Sequence, residues 1–166
     1  MRFNNQPPRG FPGRGQGGGF ERDQKSLDQI WPGYLKEGYF DAQGNLRLEY
    51  VSRDNMKPLT QGMAEGRPAL TTNQLRRYFG HCRMIETKIR AKNATWQQLR
   101  SEFLKLDITA ADAIGRDTPK IPKLFHDFIR RNVSSVKNEK DFLEGFLPHF
   151  EALVGFGSTY FRNERR

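Results

Sequence analysis

At 166 residues the chain is long enough for one domain with a real core, yet no apolar run approaches the roughly 18 residues of a membrane span. Lys and Arg outnumber Asp and Glu by 28 to 19, a formal charge of +9, with pI near 9.9 and mean hydropathy −0.81. Neutralising phosphates releases condensed counterions, so nucleic acid is the expected partner class, ahead of an anionic membrane. The single Cys82 excludes an internal disulfide and fits a reducing cytoplasm, and the start of the chain lacks the apolar stretch of a signal peptide.

Residues 1–20 differ in composition from the rest. They hold Pro7, Pro8 and Pro12, six glycines between Gly10 and Gly19, and no acidic residue, with Arg2, Arg9 and Arg14 spaced among Phe3, Phe11 and Phe20. Such a stretch buries too little apolar surface to offset its ordering entropy, so it is expected to be a disordered tail. Arg among Phe and Gly resembles segments that stack on and charge-pair with RNA; a plain flexible tail is the simpler reading. Subtracting those three arginines from +9 leaves +6 on residues 21–166, which are expected to form a single helical domain.

The first expected helix runs from Ser26 to Phe40, with Leu27, Ile30, Trp31, Tyr34 and Leu35 at three-to-four spacing and Pro32 inside the pattern. Asp41 to Asn45 reads as a turn, and short helices are expected around Leu48–Val51 and Lys57–Met63. Thr71 and Gln74 have capping-box spacing, and Leu75, Phe79, Cys82, Ile85 and Ile89 then share one face to about Lys92. On that stripe Cys82 reads as a small core residue rather than a nucleophile. Another helix runs from Thr95 through Trp96, Leu99, Phe103 and Leu106 to a stop at Gly115. Asp117-Thr118-Pro119 is expected to open the next, with Ile121, Leu124, Phe125, Phe128, Ile129 and Val136 on its buried side. The last spans about Asn138 to Tyr160, bent or joined at Pro148. No strand alternation appears. The expected fold is all-α: a compact bundle of about five helices behind the Gly/Arg/Pro-rich tail.

Motifs for catalysis are missing. There is no phosphate-binding GxxxxGK[ST], no nucleophile elbow and no Cys/His metal spacing. Asp107, Asp112 and Asp117 are spread over two helical ends, unlike a magnesium cluster. His81, His126 and His149 lie in different helices, and nothing in their spacing makes an acid–base pair. No catalytic residue, metal or cofactor is expected.

The basic residues carry more information. Arg76, Arg83 and Arg90 recur every seventh position, within about 40° of one another and about 10.5 Å apart along the axis, a spacing suited to alternate phosphates of a strand. Gly80 and Thr87 keep the stripe low. The simpler alternative is a solvated face on which Arg90 pairs with Glu86. Lys123, Arg130 and Lys137 form a second such row, extended toward the preceding turn by Arg116 and Lys120. Neither row contains a base-reading motif, so the expected contact is to backbone, with little sequence preference.

Four segments follow in order: GYFDAQGNL (Gly38–Leu46), LTTNQLRRYF (Leu70–Phe79), AADAIGRD (Ala110–Asp117) and FLPHFEALVGF (Phe146–Phe156). Together they resemble the small subunit of type III-A CRISPR–Cas effector complexes, the Csm complex, over about Leu27 to Phe161. LTTNQLRRYF is the most specific piece. The type III-B small subunit is also a small helical bundle, and the ordered motifs favour type III-A.

The resemblance implies a cytoplasmic, non-catalytic helical subunit present in several stacked copies. These copies would line the channel that holds guide and target RNA, beside the repeated backbone subunit and the large subunit. Carried over by position, the family's basic surface falls on Arg76, Arg77 and Arg116, with Lys120, Lys123 and Arg130 following by proximity. The Gly/Arg-rich start is not a feature of that family. Gly155 and Gly157 stand where its members continue with bulkier residues, and Trp31-Pro32 is unusual in its first helix. Two alternatives compete with this reading. One is a free-standing RNA-binding or RNA-chaperone protein using the tail, and the other is a metal-independent nuclease using His81 or His126.

Overall fold

A computed structural model describes residues 24–162; the reading of residues 1–20 as a separate tail lies outside them. Among the described residues six α-helices follow one another: α1 (Leu27–Ile30), α2 (Arg53–Ala64), α3 (Thr72–Arg90), α4 (Trp96–Ile114), α5 (Lys123–Ser135) and α6 (Leu147–Gly157). A 3₁₀ turn at Leu48–Tyr50 precedes α2, and a π-helical run at Asp141–Phe146 leads into α6. Among the described residues there is no strand, only the isolated bridges Phe40–Leu46 and Thr71–Arg162. The all-α expectation holds.

Three helix starts share one local device. Ser26, Thr71 and Thr95 each accept a backbone N–H from the glutamine three residues on, while that glutamine's amide oxygen accepts the cap residue's own N–H. Two orphan donors are satisfied at each start, typically worth about 1 kcal/mol per cap.

The expected helix from Ser26 to Phe40 is a correction. It ends at Ile30, because Pro32 cannot donate to the ladder and Gly33, Leu35 and Gly38 all take positive φ. The apolar spacing there serves an irregular segment, which buries Leu27, Trp31, Tyr34, Leu35 and Tyr39 without a continuous helix. Asp41–Asn45 is the expected turn, with Asp41 Oδ1 accepting N–H from Gln43 and Asn45, both at 2.9 Å. The helix over Lys57–Met63 is longer than expected and starts at Arg53.

A second correction concerns α5. It opens at Lys123 after Pro122, not at Asp117-Thr118-Pro119, because the stretch after Gly115 is a loop. A consequence is that Lys137 lies beyond the helix end at Ser135 and leaves its heptad row. The join at Pro148 is as expected: proline has no N–H for the Glu144 carbonyl and its ring crowds it, and a π-helical run comes immediately before.

Helix α4 packs on α5 and α3, and α2 on α6, enclosing one buried cluster rich in aromatic side chains. Phe103, Phe142, Phe146 and Phe150 form a run of ring contacts at 5.3–5.6 Å. Phe125 and Phe128 extend it toward α5 through Phe150. Cys82 is fully buried, as its stripe suggested, and burial pushes its thiol well up. Gly157 closes the fold against Phe161, whose ring lies where a Cβ would stand, so a bulkier residue there would displace it.

One polar thread crosses this core. Tyr39 Oη donates to Asn132 Oδ1 at 2.8 Å, Asn132 Nδ2 donates to Tyr34 Oη at 2.7 Å, and Tyr34 Oη lies 2.6 Å from His149 Nε2. His149 Nδ1 faces the Tyr50 carbonyl at 2.7 Å. A carbonyl can only accept, so Nδ1 carries the proton and Nε2 accepts from Tyr34. The irregular N-terminal segment is thereby tied to α5 and α6.

Candidate nucleic-acid interface

The basic residues singled out from sequence all lie exposed: Arg76, Arg77, Arg83 and Arg90 on α3, Arg116 and Lys120 in the α4–α5 loop, Lys123 and Arg130 on α5. The Thr71 cap sets where α3 begins, and therefore the angle at which its arginines leave the helix. Gln74, the other half of that cap, also donates from Nε2 to the Lys120 carbonyl at 2.5 Å. That bond fastens the α4–α5 loop beside the start of α3, on the side that carries Arg77; Arg76, two positions on from Gln74 and so about 200° around the helix, faces away from it.

Half of the eight are engaged in ion pairs. Arg83 Nη1 and Arg90 Nε both reach the Glu86 carboxylate, at 2.6 and 2.8 Å. Glu86 is itself buried, and the two guanidinium groups cover it along the row. Arg83 also lies over the Phe79 ring at 5.8 Å. The pairing of Arg90 with Glu86, the simpler of the two sequence readings, is what the structure contains. Arg116 contacts Asp112 Oδ2 through Nη2 at 2.6 Å, and that hydrogen bond raises the guanidinium pKa further above its ordinary value. Lys123 pairs with Asp127. Arg76, Arg77, Lys120 and Arg130 show no ion pair among the described residues.

The heptad row on α3 is thus less positive than its spacing implies. Arg83, Arg90 and Glu86 sum to one positive charge, leaving Arg76 as the cation of that row without an ion pair among the described residues. The paired arginines still present N–H groups outward, because each uses only part of its five-donor fork.

The histidines stand apart from one another in their contacts. His149 is enclosed in the core, and its desolvation lowers its pKa to about 4, only partly opposed by the Tyr50 carbonyl. His126 Nδ1 lies 3.7 Å from Asp127. His81 Nε2 donates to the Glu102 carbonyl at 2.6 Å, across the α3–α4 junction.

That junction holds a cleft of about 210 Å³ lined by Arg77, Tyr78, His81, Lys105, Leu106 and Thr109. Sequence reasoning reaches Arg77 and does not join it to Lys105 or Thr109, which stand on a different helix. The outward face of α4 also carries Leu104 and Ile108, one turn apart and 44% and 66% exposed.

A family model described as Csm2 Type III-A matches residues 55–163, more than half of the chain, from within α2 to just past Arg162. Neither a curated protein nor a solved structure matches it.

Proposed function

The chain belongs to the Csm2 type III-A family, and from that premise we propose a non-catalytic, RNA-backbone-binding small subunit of a type III-A CRISPR effector complex. On this reading several copies stack along the channel holding guide and target RNA, in contact with the repeated backbone subunit and the large subunit. The complex works in the cytoplasm. Residues 1–20 are a separate tail on a single domain of residues 21–166. Arg76 and Arg77 supply the central phosphate contacts, with Arg83, Arg90, Arg116, Lys120, Lys123 and Arg130 around them.

The observation that carries this reading is that all eight basic residues lie exposed, with Arg76, Arg77, Lys120 and Arg130 in no ion pair among the described residues. The exposed Leu104 and Ile108 of α4 support the stacking half of the proposal, since an apolar pair on the outward face of a helix gains by being covered. Guide–target pairing would then supply sequence specificity, while this subunit meets backbone charge and helical shape.

Affinity for unrelated RNAs measured across a salt series tests the proposal. The expected result is weak binding by an isolated copy, steep salt dependence and indifference to sequence. Strong discrimination between sequences at constant salt would overturn it. Loss of nearly all binding on deleting residues 1–20 would instead favour a free-standing RNA chaperone.

A further inference from the structure

The α3–α4 cleft joins basic side chains to a mostly apolar lining. Tyr78 and Leu106 reach its lining from the core, only 7% and 2% exposed, and Tyr78 meets Phe125 edge-on at 5.0 Å, which fixes its ring. Arg77, His81, Lys105 and Thr109 supply polar groups to the same lining. His81 spends Nε2–H on the Glu102 carbonyl, which anchors the ring and leaves Nδ1 for another partner. Lys105 is held by Glu102 at 2.7 Å, so Arg77 is the lining cation without an ion pair among the described residues. A drug-sized ligand needs about 300–1,000 Å³. The 210 Å³ here suits one flat ring with its charged group left at the mouth.

We propose that this cleft takes one unstacked nucleotide of a single-stranded RNA, the base in the notch where the edges of Tyr78 and Leu106 reach the lining and the adjoining phosphate on Arg77. The inference rests on the RNA-binding reading and goes beyond it. Backbone contact alone needs no pocket, whereas a seated base ties one point of the strand to one point of the subunit. Apolar contact with a flat ring tolerates any base, so the cleft sets register without reading sequence. His81 Nδ1 and the Thr109 hydroxyl are the groups available to the ribose or the base edge.

The test uses the full chain with a single-stranded RNA of about 12 nucleotides, the upper part of the usual site-size range, containing 4-thiouridine, cross-linked by light and mapped by peptide mass. Cross-links at Tyr78 or His81 are expected. Thr109→Trp fills the cleft from an exposed position without removing a charge. It should weaken RNA binding at least about fivefold while leaving the salt slope unchanged. Circular dichroism checks that the variant is folded, and Arg77→Gln, which lowers both affinity and slope, gives a second measure if it is not.

Uridine 5′-monophosphate is expected to compete for the cross-link only at far higher concentration than the strand. Equal affinity for the mononucleotide would overturn the strand assignment. Salt-dependent RNA binding by the wild type with unchanged affinity in Thr109→Trp, or with cross-links only elsewhere, overturns the cleft alone. A wild type that binds no RNA overturns the broader reading and this one together.

Discussion

Tyr34 and His149, 115 positions apart, meet in the core with phenol oxygen and Nε2 separated by 2.6 Å. Tyr34 sits in an irregular segment and His149 on α6, so this bond and its continuation through Asn132 hold in place a segment whose spacing predicts a helix. Replacing Tyr34 by Phe keeps the ring but leaves His149 Nε2 without its donor and one Asn132 N–H without its acceptor. A buried unsatisfied polar group costs about 1–3 kcal/mol, so Tyr34→Phe should destabilise the protein by about 2–3 kcal/mol. Urea unfolding measures this; a change below about 0.5 kcal/mol would show that the thread contributes nothing.

The same histidine makes stability depend on pH. Desolvation lowers its folded-state pKa to about 4, while the unfolded chain titrates near 6.5. The folded state therefore binds the proton less readily than the unfolded one. The contribution is complete above pH 6.5 and is lost as pH falls from there through about 4. Over that window the loss amounts to about 3 kcal/mol, in addition to any change from carboxylates. Unfolding free energies at about pH 7 and about pH 4.5 for the wild type and His149→Gln check it. The variant should lose less, since glutamine has no proton to gain.

Glu86 offers a direct handle on the arginine row. Its carboxylate holds Arg83 and Arg90 together, and Glu86→Gln removes that charge while keeping the side chain's size. If the row meets phosphates, RNA affinity should rise. The slope of log K against log salt should then steepen by about 0.7 for each additional phosphate neutralised on a single strand. Some folding stability should be lost, because Glu86 is buried. An unchanged slope would remove Arg83 and Arg90 from the interface.

What is legible in the sequence is what short range decides. Thr71 with Gln74 marks the start of α3 because a capping box is written in four consecutive residues. Asp117-Thr118-Pro119 has the chemistry of a helix opening, and only packing decides that α5 waits for Pro122. The apolar spacing from Leu27 to Leu35 is identical for a helix and for a buried irregular segment; Pro32 is the local sign of the difference. On the candidate interface, the heptad spacing of the arginines is readable, and the Arg90–Glu86 pair follows from i,i+4 geometry. The cleft is not readable, since Arg77 and Lys105 come together only through the packing of α3 on α4.

The unpaired cations should separate from the paired ones in solution. Arg76→Ala and Arg130→Ala each remove an exposed charge with no ion pair among the described residues, and each should reduce the salt slope by about 0.7 without altering preference among RNAs. Arg116→Ala should cost less, because the guanidinium is already satisfied by Asp112 and must share that contact with a phosphate. Fluorescence anisotropy over a salt series distinguishes the two groups; a sequence-dependent loss for Arg76→Ala would indicate base contact instead.

Leu104 and Ile108 give the assembly half of the proposal its own test. At 44% and 66% exposed both stand on the surface of the isolated subunit, so Leu104→Glu with Ile108→Glu should change folding stability by no more than about 1 kcal/mol in total. In a stack of copies the same two side chains would be covered, and placing two carboxylates there would force charges out of water without partners. The double variant is therefore expected to fold normally, yet to drop out of the effector complex on co-purification with its other subunits. Retention at wild-type stoichiometry would show that this face of α4 stays in water and that the copies meet elsewhere.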